Sequence, residues 1–574
     1  MIYGIEFGLV LAAVVLAFTF PCLGSRWIEA VERSLDRLAE RPRLALVVVG
    51  LTALAVRAAL LPILPIPEPA VHDEFCHLLA ADTFAHGRLA NPTHLLWIHF
   101  ETFHVLSRPT YASIFPPAQG LILAFGQAAL GHPFWGVWLS LGLMCAALCW
   151  MLQAWLPPKW ALLGGLLAVI RLATFSYWAN SYWGGAAAAA GGALVFGALP
   201  RLKQSLRISD ALLLGLGLAI LANSRPYEGL VFSLPVGAAL LIWMLGKNRP
   251  PFRTSLRRLV LPTGLLLVVV AVLMGYYFWR VTGNPWVMPY QLYHDTRLVT
   301  PYFLWQAPRP LPMYYYAEMK NFYLTYELPP WVQSRSLDGV LRLEASRIAE
   351  LWAFYALPLF TLPLVMAMAV LPYGFSWREI SGGARFLLMA TGFGLVGYAL
   401  EVFSHPHYMA PGTCLVFALV LGATRNVRNW RWRQKPVGRA ISRAIPLIAG
   451  TLLVLCAVWA PALHPREGPP LTWCSPGYYL MPERAHMLAE LQQEPGLHLV
   501  IVKYSATHNF RFEWVHNLAD IDASKVIWAR DMGREQNLEL LRYYQGRRIW
   551  LVEPDLTPPR LSAYPPADED PKSQ

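Results

Sequence analysis

Twelve apolar runs govern what this chain can fold into, at about 2–23, 44–65, 133–155, 159–175, 184–200, 208–223, 228–246, 257–279, 349–372, 384–403, 407–424 and 442–463. Most match the roughly 17–25 residues that carry a helix across the hydrocarbon core. Lipid offers no hydrogen-bond partner to the backbone, so such runs are predicted to be helices. The first run has no positive segment before it and is followed by "SRWIEAVERSLDRLAERPR". That order predicts a first span rather than a cleaved signal peptide.

Arginine and lysine orient the spans, because positive loops stay cytoplasmic. "SRWIEAVERSLDRLAERPR", "RLKQSLR", "GKNRPPFRTSLRR" and "TRNVRNWRWRQKPVGRAISR" fall on one face if the twelve runs alternate. The connections "FSYWANSYWGG", "NSRPYEG" and "SHPHYM" fall on the other, with a single Arg and no Lys. Twelve spans therefore put both termini outside the cytoplasm, in the inner (plasma) membrane. Only 14% of the 574 residues are charged, against 56% hydrophobic. The net charge of +12 lies in the cytoplasmic loops, so nucleic acid is not an expected partner. Seven Cys, mostly inside apolar runs, show no ligand or framework spacing, so neither a disulfide framework nor a zinc site is predicted.

The predicted organisation is a transmembrane domain over 1–469 and an external α/β domain with a disordered tail over 470–574. The first external loop is 66–132 and the second 280–348. "PPAQGLILAFGQAALG" (116–131) is apolar but short, and counting it as a span would invert the charge bias downstream. It is predicted to be a helix at the outer interface, opened by Pro116 and Pro117. In the C-terminal segment, "LHLVIVKYS", "SKVIWARD" and "RRIWLVEPD" alternate with helical patterns, the signature of a mainly parallel sheet.

The stretch "PIPEPAVHDEFCHLLAADTF" (65–84) places Asp73 and Glu74 at the rim of the second span. An acidic pair at the start of a helix stabilises its dipole; it is also where a catalytic acid would meet a lipid headgroup. His99, Glu101 and His104 in "HFETFH" form the most metal-like group, compatible with a divalent ion though without the spacing of a closed site. Arg225 beside Tyr227 and Glu228, and His405, His407 and Tyr408 after Glu401, could hold an anionic headgroup or serve local pairing. Arg57 and Arg171, within or near span ends, need partners, because an unpaired charge there costs at least ~2.5 kcal/mol. "SYWANSYWGG", with Asn180 and Tyr182 as candidate substrate contacts, reads equally as an interfacial aromatic belt.

The order of these motifs resembles the GT-C glycosyltransferases: an Asp-Glu pair after an early outward span, then "AADTFAHGRLANP", then "FPPAQGLILAFGQAALG". The branch it is most similar to is the dolichyl-phosphate-mannose protein mannosyltransferase and lipid A aminoarabinose transferase group, over roughly 44–425. There the first outer loop carries the acidic motif and two juxtamembrane helices, the second opened by a "PPL"-like turn matched by Pro116, Pro117 and Ala118. Asp73 matches the catalytic acid, with Glu74 its neighbour, and Arg225 falls near a frequent basic position. "HPHYMAP" resembles a late "RYxLP" motif, with His407 where Arg is usual, and Asn180 or Ser181 stands where a further acid is often found.

The resemblance implies a polytopic helical glycosyltransferase that moves a hexosyl or pentosyl group, with inversion, from a polyprenyl-phosphate donor to a lipid, glycan or protein acceptor. Its active site would lie on the periplasmic or exoplasmic face, with membrane lipids around it and Asp73 as general base. No cofactor is implied by the resemblance, and a divalent metal stays open on His99, Glu101 and His104 alone. Two other classes remain open: a transporter or flippase of lipid-linked sugars, and a non-catalytic anchor presenting the C-terminal domain. Acids are nearly absent from the spans, which a transporter would not favour, and an anchor would leave the loop acids dispensable.

Overall fold

In the computed structural model, residues 2–247, 249–370, 380–459, 472–475 and 481–564 are described. Each of the twelve apolar runs forms a helix. Nine helices among the described residues are long and apolar enough to cross a membrane, and the chain is a multi-pass membrane protein. Helices Pro158–Leu172 and Ile208–Ala222 are shorter, and Ala186–Ser205 is rich in Ala and Gly. Helix Phe252–Thr282 shows an outward apolar face that includes Leu265, Val268 and Val269, as lipid contact requires. Another helical stretch runs over Leu337–Ala369, beginning well before the apolar run at 349 because "LDGVLRLEASRIAEL" itself favours helix.

The chain divides into two compact units, one of Met1–Ile66, Val137–Val272 and Leu337–Tyr478, the other of Pro67–Gly136, Leu273–Ser336 and Tyr479–Gln574. In the first unit small residues let helices approach closely, as membrane packing favours. A Cβ on Gly192 of helix Ala186–Ser205 would lie 2.0 Å from the Pro411 carbonyl oxygen. Arg171 is buried and donates to both carboxylate oxygens of Glu6, at 3.2 and 3.1 Å, and to the Ala356 carbonyl. Arg57 is fully buried and donates to the carbonyls of Ala179, Leu64 and Pro65. The partners these charges need are present. Cys456 and Cys474 form a disulfide with their Cα atoms 6.7 Å apart, which corrects the expectation of none. Their separation of 18 residues matches no spacing motif, so proximity came from the fold.

The second unit differs from a division at 469/470. Its C-terminal sheet has strands β1 (His498–Val502), β2 (Val526–Arg530), β3 (Arg548–Glu553) and β4 (Arg560–Ala563), in the order β2-β1-β3-β4. β1 pairs parallel with β2 and β3, and β4 closes the edge antiparallel to β3. The expected helices form at Pro482–Gln493 and Arg534–Tyr543; β4 was not foreseen. The sheet shares one core with both long loops: Leu499, Ile501, Ile527 and Leu551 cluster with Phe100, Phe103 and Tyr111 and with Tyr293, Phe322 and Tyr323. A sheet with apolar side chains on both faces must be covered on both, and the loops supply part of that cover. Within this unit, helix Pro117–Leu130 packs on helix His72–Ala85, where Gly120 leaves its Cβ position 2.7 Å from the Ala80 methyl. At 14 residues it is too short to span, as expected.

Candidate active site

Helix His72–Ala85 starts where Glu74 folds back on the turn before it. Its buried carboxylate accepts from the backbone N–H groups of Ala70, at 2.9 Å, and Val71, at 3.2 Å. That satisfies donors a helix start leaves over. Glu74 is thus a capping residue, and its expected catalytic place is corrected: the carboxylate is committed to backbone. Asp73, one position earlier, is relieved of that duty and its side chain is 26% exposed.

Its nearest basic neighbour is His104, with Nδ1 3.4 Å from the Asp73 Oδ1. His104 adopts φ 59°, a left-handed conformation that costs on the order of 1–3 kcal/mol for a non-glycine residue. Its N–H donates to the Tyr293 hydroxyl at 3.0 Å, which bonds the Tyr323 hydroxyl at 2.5 Å. Its carbonyl accepts from the Cys76 thiol and the Ile114 N–H. The backbone is therefore held on both sides, and the ring is aimed at Asp73. Burial pushes the His104 imidazole down, and Asp73 opposes that shift. Glu327, at the end of the π-helical turn Phe322–Glu327, is raised to about 8 by burial and then by the Asp73 charge. It keeps its proton at neutral pH. The sequence reading missed Glu327; a single acid inside the aromatic run "NFYLTYELPP" was the available signal.

In the other unit Arg225 lies over the Tyr408 ring, 4.1 Å from its centroid, with a guanidinium nitrogen 3.7 Å from Glu228. His405 and His407 stack with centroids 5.7 Å apart. His407 Nδ1 meets the Tyr177 hydroxyl at 2.9 Å, and its ring packs on Trp183 at 4.8 Å. His405 lies 3.6 Å from Glu350. Tyr227, Glu228, Tyr398 and Tyr408 line a small cleft. Arg225, His405, His407 and Tyr408 are thus brought together, but with acids among them. Asn180 and Tyr182 are both buried. The Asn180 amide donates to the Thr174 and Ser176 carbonyls at 2.8 Å, which stabilises its own turn.

The candidate metal set is not a set. His99 Nδ1 donates to the Arg530 carbonyl at 3.1 Å, Glu101 pairs with Arg297, and His104 faces Asp73. Among the described residues no three His, Cys, Asp or Glu side chains converge as metal ligands, so these residues do not fit a divalent ion.

No protein-family profile matches the chain, and no curated protein matches it. It is similar to the structure of ArnT from Cupriavidus metallidurans in the apo state, at 13% identity and a TM-score of 0.48, covering 88% of this chain and 92% of that one. The same protein bound to undecaprenyl phosphate aligns at 12% identity and a TM-score of 0.45, with the same coverage. The Archaeoglobus fulgidus oligosaccharyltransferase in its apo form aligns at 12% identity and a TM-score of 0.41, covering 89% of this chain and 69% of that one.

Proposed function

We propose that this protein is a glycosyltransferase that moves a monosaccharide from a polyprenyl-phosphate donor to an acceptor hydroxyl on the extracytoplasmic face, with inversion. The observation that carries the reading is the Asp73 carboxylate: partly exposed, released from helix capping by Glu74, and faced by a backbone-pinned His104. Asp73 takes the proton of the acceptor hydroxyl as its oxygen forms the new bond to the anomeric carbon. The bond from that carbon to the phosphate oxygen breaks, and its electron pair leaves with the polyprenyl phosphate. Phosphate is a good leaving group, so one base and nearby cations suffice. Arg225, His405, His407 and Tyr408, in the other unit, are proposed separately as holders of an anionic headgroup, with Arg225 4.1 Å from the Tyr408 ring centroid and the two imidazoles stacked. The Cys456–Cys474 bridge supports the sidedness, because disulfides persist in oxidising compartments.

The test is Asp73→Asn in the purified full chain, assayed for release of polyprenyl phosphate from a panel of synthetic polyprenyl-phosphate hexoses and pentoses in the presence of membrane-extracted acceptors. The substitution keeps size and much hydrogen bonding but removes the basic carboxylate. Turnover should fall by roughly 100-fold or more with an unchanged melting temperature. Near-wild-type release by the folded variant would sink the reading.

A further inference from the structure

Helix Ser25–Ala39 joins the spans Ile2–Thr19 and Pro42–Ala59. Only residues 20–24 precede it and 40–41 follow it, so both ends are tethered to the membrane surface. Its side chains are sorted around the axis. With 3.6 residues per turn, Trp27, Val31, Leu35 and Leu38 share an arc of about 80°. Arg26, Arg33 and Arg37 share one of about 40°, and Glu29, Glu32 and Asp36 one of about 60°.

The acidic arc faces the protein. Glu32 accepts from Arg428 at 2.8 Å and from Arg443 at 2.8 Å, and Glu29 accepts from Arg443 at 3.3 Å. The Arg443 side chain is buried, so this face of the helix is held in place. The apolar arc faces away: Trp27 is 83% exposed, Val31 59% and Leu35 38%. An apolar stripe ordinarily turns inward on a globular protein; here it is left open. Phe20 and Leu23, between the helix and the first span, are exposed as well, and so are Phe7, Leu11 and Val15 of the span itself.

Arg26, Arg33 and Arg37 are exposed, and none of them is in an ion pair among the described residues. Pairing of Glu29 and Glu32 with Arg428 and Arg443 leaves Asp36 and Glu40 against five arginines, at 26, 33, 37, 41 and 43. The open side of the helix is therefore apolar and positively charged together.

We propose that helix Ser25–Ala39 is a docking surface for the anionic phospholipids of the leaflet it borders, with Trp27, Val31 and Leu35 entering the boundary between headgroups and acyl chains and the arginines holding lipid phosphates. An amphipathic helix with a basic polar face lies in the membrane interface in this way, and long arginine stems reach past the helix edge to the headgroups. Tethering to two spans selects lipid over a soluble partner, and the surplus of arginines selects anionic over zwitterionic lipid. Through Glu29 and Glu32 the lipid-bound helix is tied to helices Thr413–Arg428 and Val437–Trp459.

An environment-sensitive NBD probe on Val31→Cys tests this in the full chain. The background is Cys22→Ser, because Cys22 is exposed and the other free cysteines are buried. The protein is placed in nanodiscs of phosphatidylcholine and phosphatidylglycerol, with a doxyl quencher carried by one lipid or the other at equal mole fraction. The probe should emit as in an apolar medium, and doxyl-phosphatidylglycerol should be enriched about fivefold over doxyl-phosphatidylcholine beside it, the preference that one arginine at an anionic surface supplies. Arg26→Gln, Arg33→Gln and Arg37→Gln together should bring the two lipids to about equal quenching. A probe on the lipid-facing Val268→Cys should show no change with those substitutions. If the triple variant folds poorly, Arg33→Gln alone should lower the preference. Emission typical of water overturns the bilayer as occupant. Apolar emission quenched by neither lipid also overturns it, and shows that a second copy or another protein covers the face. Equal quenching in the wild-type chain, or a preference unchanged by the arginine substitutions at wild-type melting temperature, overturns anionic selection and the proposal with it.

Discussion

Glu6 and Asp73 are both carboxylates opposite a nitrogen base, one in each unit, and they are built to opposite ends. Glu6 is fully buried, and both its oxygens are taken: by the two Arg171 terminal nitrogens, the Leu359 N–H and the Trp473 indole. Asp73 is a quarter exposed and has one basic neighbour at 3.4 Å. A saturated buried acid holds helices together and has no valence left for a substrate. A sparsely bonded acid at a rim is stable only because water, or something else, completes it. The comparison also bears on the transporter alternative: the acid in the first span is locked into the fold rather than left to carry cargo.

The largest expected effect breaks the pair on the saturated side. Truncating one partner of a buried ion pair leaves the other uncompensated, at about 3–5 kcal/mol. Glu6→Ala or Arg171→Ala should therefore lower the melting temperature of the detergent-solubilised protein and its folded yield, whereas Asp73→Asn should leave both unchanged. Equal melting losses at the two sites would erase the distinction. Arg225 is an intermediate case, with Glu228 3.7 Å away and the Tyr408 ring beneath it. If it binds donor phosphate, Arg225→Ala should weaken polyprenyl-phosphate binding by about 1.5–3 kcal/mol, or roughly 10- to 100-fold, without impairing membrane insertion. Unchanged affinity in a titration would return Arg225 to the structural class with Arg171.

The smallest effect is a slope. Glu327 titrates near 8 in the folded protein, against an ordinary value of 4.5, because it is buried beside Asp73. Between those values the folded state holds a proton that the unfolded state has released. Its contribution to stability therefore falls as pH rises from about 4.5 to about 8 and levels off above. Glu327→Gln should flatten that part of the melting-temperature profile; an identical slope in the variant would remove Glu327 from the Asp73 environment.

The helices were legible because a bilayer permits few alternatives: hydropathy and length placed all twelve, and charge bias kept 116–131 out of the count. The parallel sheet was legible from alternating patterns. Division of labour between Asp73 and Glu74 was not, because it depends on which carboxylate turns back to the Ala70 and Val71 amides. Nor could adjacency in sequence show that Asn180 spends its amide on its own turn, or that His99, Glu101 and His104 take different partners. The shared core of loops and sheet was hidden for a related reason. Phe100 and Leu499 have no local pattern in common; they meet only once three distant segments are assembled.

That assembly imposes an order on synthesis. The segment bearing Asp73 is made early, while the strands that complete its core, from His498 to Glu553, come late. At roughly 5–20 residues per second, the early loop waits on the order of tens of seconds with its aromatic side uncovered. During that interval the membrane helices can insert before the core of that loop is complete. Until the last strands arrive, that part of the core has no cover from this chain.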